Sequence, residues 1–168
     1  MGDESVKSKL LIANHMLLFL CASMYLGTGG SLVLFSFPTA SELTPVNYYP
    51  QFVPQVEAAT AFLTPMTKVM FACLAIMLIA EWRSHWRWVP IIVIVALAAA
   101  TALTVWMIFP LNTEMAAHIQ SADRLHVVLT DWMRLNRVRV AIWCVQWAAL
   151  ALYFGVWTWR ARYPEWAR

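Results

Sequence analysis

The run Trp88–Leu111, WVPIIVIVALAAATALTVWMIFPL, decides the fold. It holds no charged residue and is longer than the roughly 20 apolar residues that a helix needs to cross about 30 Å of hydrocarbon. Three more stretches read the same way, over about residues 10–37, 58–80 and 140–159. Between the second and third spans lies only Glu81-Trp-Arg-Ser-His-Trp-Arg87, too short to do anything but turn the chain back on itself. The expected architecture is all-α, a four-transmembrane-helix antiparallel bundle forming a single integral membrane domain over residues 1–168. Composition agrees: 61% of the residues are hydrophobic and 12% charged, against about a quarter charged in a soluble domain.

Outward from that run, the breaks and charges set the arrangement. Pro38, Pro45, Pro50 and Pro54 with Asn47-Tyr48-Tyr49 predict an extended break after the first span, on a segment with no Lys or Arg. The second turn carries Arg83 and Arg87. With the amino end inside, Lys7, Lys9, Arg83, Arg87, Arg160, Arg162 and Arg168 fall on the cytoplasmic side, and Arg124, Arg134, Arg137 and Arg139 on the other. The excess predicts both termini in the cytoplasm, in a plasma or inner membrane. Trp82, Trp86, Trp88, Trp157, Trp159 and Trp166 gather at the same face, as an interfacial aromatic belt does. The basic residues form no stripe suited to nucleic acid. The first span continues past Tyr25 without an A-x-A cleavage pattern, and is read as retained.

In the first span Gly27 and Ser31 stand one turn apart and predict close helix approach, with a tilt or local break nearby. Leu125, Val128, Leu129 and Trp132 recur at helical spacing in the polar stretch before the fourth span. They predict an amphipathic extension that begins near Ser121 and runs into that span. Cys21, Cys73 and Cys144 lie singly in apolar runs and read as small buried hydrophobes.

Ionisable groups inside a span are costly, so a site is sought there first. Glu57 and Lys68 are three turns apart on the second span and share a face with Ala61 and Thr64. Lys68 lies near mid-membrane, where it is expected to be shielded from lipid and paired. Trp132, Asn136, Arg139 and Trp143 are spaced by four, three and four residues and form one stripe on the fourth helix. Arg139 offers a planar fork for a carboxylate, phenolate or carbonyl, Asn136 donates and accepts, and the indoles give flat walls. Phe109-Pro110-Leu111-Asn112 closes the third span. Glu57, Asn112, Asn136 and Arg139 therefore come to one leaflet from three helices. Against this stand plainer readings, in which Arg139 and Lys68 snorkel and Asn136 joins helices. No metal-ligand pattern or cofactor motif is evident. His15 is the one histidine within a span, His85, His118 and His126 lying in connecting segments, so haem with two histidine ligands at one depth is disfavoured.

At these residues the chain resembles a small four-helix membrane family, long known only as a domain of unknown function, that includes fungal and bacterial anthrone oxygenases. The resemblance covers about residues 15–155. It rests on the Gly-rich first span ending Leu-Phe-Ser-Phe-Pro38, on Phe109-Pro-Leu-Asn112, and on Trp132-Met-Arg-Leu-Asn-Arg-Val-Arg139. It implies oxygenation of aromatic polyketides and points to Asn112, Trp132, Asn136 and Arg139. The expected function is a membrane-embedded oxidoreductase, a monooxygenase acting on a planar aromatic or quinol-like substrate. Arg139, Asn136 and Glu57 would be catalytic, with Asn112, Trp132, Trp143 and Lys68 binding the substrate. A non-catalytic, quinone- or lipid-binding subunit of a larger membrane complex is the alternative, and a haem or metal electron carrier the third reading. Expected partners are the bilayer, an aromatic or quinone-like molecule, and a second copy or larger assembly.

Overall fold

A computed structural model describes residues 2–162; Trp166 and Arg168 lie outside the described residues. Among these the chain is helical throughout, with no strand. Helix α1 covers Gly2–Ser31 and continues through a π turn, Leu32–Ser36, into the short α2, Phe37–Thr39, and a 3-10 turn, Ala40–Glu42. Helix α3 is Tyr48–Glu81, α4 is Trp88–Leu103, and a second π turn, Thr104–Ile108, leads into α5, Phe109–Ala116. Helix α6 runs unbroken over Ala122–Arg162. Four helical stretches are long and apolar enough to span a membrane. Only 22–28% of the residues in their apolar windows are buried, so each span keeps most of its apolar surface for lipid. This is an integral membrane four-helix bundle.

Both π turns have the same local cause. Each precedes a Phe-Pro pair, Phe37-Pro38 and Phe109-Pro110, whose proline stands in the first turn of the next helical segment. Proline has no N–H and its ring collides with the carbonyl four residues back. Widening the preceding turn by one residue relieves that collision without breaking the span. The tilt or break expected near the glycines is thus a π turn just after them. The expected extended break over residues 38–57 is corrected: α3 already begins at Tyr48, and Pro50 and Pro54 lie within it. Pro50 is third in the helix, where no intrahelical partner is needed, so of these two only Pro54 removes a bond.

The amphipathic extension is present as expected. Ser121 caps α6, its Oγ accepting from the Arg124 amide at 3.3 Å. Leu125, Val128, Leu129 and Trp132 are all buried. The connection from α5 is tied down by Tyr48, fully buried, whose hydroxyl donates to the Met115 carbonyl at 2.9 Å and accepts from the Ile119 amide at 2.5 Å. On the surface Arg124 grips Glu114 with two bonds, at 2.5 and 2.8 Å.

Close helix approach occurs at Gly29 rather than at Gly27 and Ser31. A Cβ on Gly29 would stand 2.6 Å from Val140 Cγ2 and 2.8 Å from the Trp143 ring, while one on Gly27 would meet nothing within 4 Å. Of the cysteines, Cys21 and Cys73 are buried, but Cys144 is exposed on the face turned to lipid. Trp82, Trp88, Trp157 and Trp159 are exposed near the end that holds the termini.

Two packed clusters stabilise the bundle. One, near the termini, joins Leu18, Met70, Leu74, Met77, Val93, Leu97 and Leu150. The other, near the loops at residues 43–47 and 117–121, joins Phe37, Tyr48, Phe52, Ile108, Leu129 and Trp132. What lies between them is a cavity.

Candidate functional site

The cavity has a volume of about 540 Å³ and takes wall residues from all four spans, in the size range of sites for small organic molecules. Leu97, Ala100 and Trp143 of the first cluster bound it, as do Phe52, Ile108 and Trp132 of the second. Both π turns contribute, through Leu32 and Ser36 and through Thr104, Val105 and Ile108. Along α6 the wall runs from Trp132 to Trp143, about 16 Å at 1.5 Å per residue. That length accommodates three fused rings.

Arg139 is its best-defined polar group. One terminal nitrogen donates to Asn136 Oδ1 and the other to Thr104 Oγ1 at 3.3 Å. The guanidinium lies 4.8 Å from the centre of the Trp143 ring, within range of a cation–π contact. Trp143 is itself fixed by the edge of Tyr25, ring centres 4.8 Å apart at 90°. The Tyr25 hydroxyl reaches the Leu63 carbonyl at 2.8 Å and Thr67 Oγ1 at 2.5 Å. Arg139 is therefore held by its own helix and by the third span, with Tyr25 of the first span bracing Trp143. Among the described residues Arg139 Nε and Trp143 Nε1 are buried without a partner. Buried polar atoms left unpaired on a cavity wall are where a ligand or water is expected to complete the set.

The structure brings Asn112, Trp132, Asn136, Arg139 and Trp143 into one connected group. Trp132 Nε1 donates to Asn112 Oδ1 at 2.7 Å, and Asn136 Nδ2 to the Trp132 carbonyl at 2.8 Å. Their parts differ from those expected. Asn136 is completely buried and is not part of the cavity wall. With its oxygen on Arg139 and its nitrogen on the backbone, it positions the guanidinium and does not hold a ligand oxygen. Trp132 is wedged edge-on between Phe37 and Phe52, at 5.9 and 4.9 Å, so it forms a fixed end wall.

Glu57 is not on this cavity. It lines a neighbouring one of about 440 Å³, and Val56, Thr60, Phe109 and Asn112 border both. Lys68 lies on the wall of the main cavity, but it is exposed and the expected pairing is absent: no hydrogen bond or ion pair reaches it within the described residues. The nearest carboxylate on its own helix, Glu57, faces the other cavity. Among the described residues no Asp or Glu lines the cavity that holds Lys68 and Arg139.

Residues not anticipated from the sequence complete the site. Thr60, Thr64, Thr67, Thr101 and Thr104 line it, each donating its hydroxyl hydrogen to a carbonyl four residues back. Two of these oxygens are further engaged, Thr67 Oγ1 with the Tyr25 hydroxyl and Thr104 Oγ1 with Arg139. Only Thr64 was placed on this face from the sequence; the wider signal is threonines recurring one turn apart on α3 and across the end of α4 into the π turn. His15 is remote, its Nδ1 2.6 Å from the Leu11 carbonyl and its ring stacked on Tyr153. Tyr153 donates to Glu81 at 2.7 Å. His118 stacks on Tyr49 in the loop, ring centres 3.6 Å apart. Among the described residues no three His, Cys, Asp or Glu side chains gather as a metal set would; what the cavity offers is cationic, hydroxyl and aromatic groups.

Comparison with protein families, curated proteins and solved structures finds no match to this chain.

Proposed function

We propose that the protein is a membrane-embedded oxidoreductase of the anthrone oxygenase type, binding a planar aromatic or quinol-like molecule in the cavity between the two clusters. One observation carries the reading. A guanidinium fixed by Asn136, Thr104 and Trp143 stands on the wall of a bundle cavity that no carboxylate lines. A positive group so placed favours an aromatic phenol or enol in its ionised form, because in a low-dielectric site the charge is neutralised only by an anion.

In this proposal the ring system lies between Trp143 and the Trp132 end wall, with its oxygen on Arg139. Loss of a benzylic proton gives an enolate that the guanidinium stabilises. The enolate passes electrons to dioxygen, forming a hydroperoxide that expels water and leaves a carbonyl. One CH₂ and one O₂ thus become one C=O and one H₂O. Glu57 takes the proton from a ligand edge lying at the Thr60–Asn112 wall shared by the two cavities. With the termini in the cytoplasm, the loop end of the cavity faces the outer leaflet, and the substrate is taken from there.

The test is oxygen uptake by the purified protein in lipid nanodiscs, with a hydroxyanthrone as substrate. Uptake equal to the quinone formed, lost in Arg139→Gln, is expected. A protein that binds the compound but consumes no oxygen, and that copurifies in stoichiometric amount with another membrane protein, is the accessory subunit of the alternative reading.

A further inference from the structure

Lys68 is an ammonium in the middle of a membrane helix, and among the described residues it has no hydrogen-bond or ion-pair partner. It lies 20 residues beyond Tyr48 and 13 before Glu81, the two ends of α3. These distances are about 30 Å and about 20 Å at 1.5 Å per residue. The helix is longer than about 30 Å of hydrocarbon, so depth is counted within the apolar run 58–80. The ends of that run are about 15 and about 18 Å from Lys68, beyond a lysine stem of the order of 6 Å, and snorkelling to a lipid phosphate does not account for it. It lies instead on the wall of the cavity that also holds Arg139, together with Thr64, Phe71 and Gln55.

Its place follows from its neighbours. Thr67, adjacent in sequence, bonds the Tyr25 hydroxyl, and Tyr25 packs on Trp143, four residues past Arg139. Thr67 and its neighbour Lys68 are therefore tied, through Tyr25, to the Trp143 ring on which the Arg139 guanidinium lies. The cavity wall carries two cations, Arg139 and Lys68, and among the described residues no acid. A mono-anionic phenolate or enolate on Arg139 leaves the second cation unneutralised, which is costly in a membrane interior.

Resting on the reading above, we infer that the natural ligand carries a second acidic group, a carboxylate on the ring remote from the reacting edge, and that Lys68 binds it. The substrate class is then an aromatic carboxylic acid and not a neutral quinol. Both charges would be matched inside the bilayer, and neutral quinones of the membrane pool would be discriminated against, because they would leave the ammonium desolvated and unpaired.

Two probes of the same shape separate the possibilities: anthraquinone-2-carboxylate and anthraquinone-2-carboxamide. Each is titrated into wild type, Lys68→Met and Lys68→Arg in nanodiscs of zwitterionic lipid, and again with anionic lipid. Comparing each probe with itself across variants cancels its partitioning into lipid. Lys68→Met is expected to weaken the carboxylate about tenfold or more, a loss of about 1.4 kcal/mol per factor of ten, and to leave the carboxamide within about twofold. Lys68→Arg is expected to keep most of the carboxylate affinity. Equal effects of Lys68→Met on both probes, or none on either, overturn the inference while leaving the cavity's aromatic site standing. So does an effect that disappears when anionic lipid is supplied, since a lipid phosphate would then be the partner. If wild type binds neither probe, the aromatic reading falls with it.

Discussion

Arg139 and Lys68 look alike in the sequence, as basic residues in apolar helices, and the structure separates them by what surrounds each. Arg139 is held by two side-chain acceptors and an indole face, while among the described residues no hydrogen bond or ion pair holds Lys68. The stripe Trp132–Asn136–Arg139–Trp143 was legible because its spacing puts the members on one helical face. What spacing leaves open is the direction each group faces around that stripe. Asn136 turned out to be a support because Arg139 and the Trp132 carbonyl use its amide, and Glu57 faces a different space from Lys68. If Arg139 acts through its fork, Arg139→Lys should lower turnover about 100-fold although the charge is kept, while thermal unfolding in detergent changes little. Turnover near that of wild type would reduce Arg139 to a snorkelling residue. Gly29 supports a sharper structural contrast. Gly29→Ala drives a methyl into Val140 and Trp143 and should cost about 1–3 kcal/mol, seen as a lower unfolding temperature, whereas Gly27→Ala, with open space around it, should be neutral.

At the scale of elements, the four spans and the extension of α6 followed from apolar run length and from the Ser121 cap. The π turns did not, although the repeated Phe-Pro pair that causes them was in view: proline tells where a helix is strained, but the neighbours decide whether it breaks, kinks or widens. The same limit explains why α3 starts at Tyr48 and not after Pro54. Tyr48 anchors its first turn to the α5–α6 connection, and that tertiary gain outweighs one missing backbone bond. Tyr48→Phe leaves the Met115 carbonyl and the Ile119 amide without their partner in a buried place. A loss of about 1–3 kcal/mol is expected, with faster hydrogen exchange confined to residues 115–121. Exchange unchanged there would mean that the loop is held by other contacts. Pro110→Ala supplies an N–H and removes the ring, so the Thr104–Ile108 turn should relax toward α-helix and rotate Thr104 away from Arg139. Stability should hold or rise while ligand affinity falls, as expected where strain serves a site.

For the whole molecule, the antiparallel bundle places the start of α1 and the end of α6 on one side, and the arginine-free segment 38–57 on the other. Topology is checked with single cysteines in a background lacking the native three. A membrane-impermeant maleimide applied to intact cells should label Ser41→Cys and spare Ser84→Cys; the reverse pattern would invert the protein and turn the loop end of the cavity toward the cytoplasm. The bundle's central feature is that its apolar packing is divided in two, and that the gap contains cations without acids. The ionisation of a bound hydroxyanthraquinone reads this most directly, because the phenol and phenolate differ in visible absorption. The dye is titrated with pH in nanodiscs containing the protein and in empty ones. Bound to wild type it should ionise at a pH below that of the dye in empty discs, and Arg139→Gln should abolish the difference. A bound dye that ionises at higher pH than in empty discs would show an apolar cavity without an oxyanion site, and would contradict the assignment of Arg139.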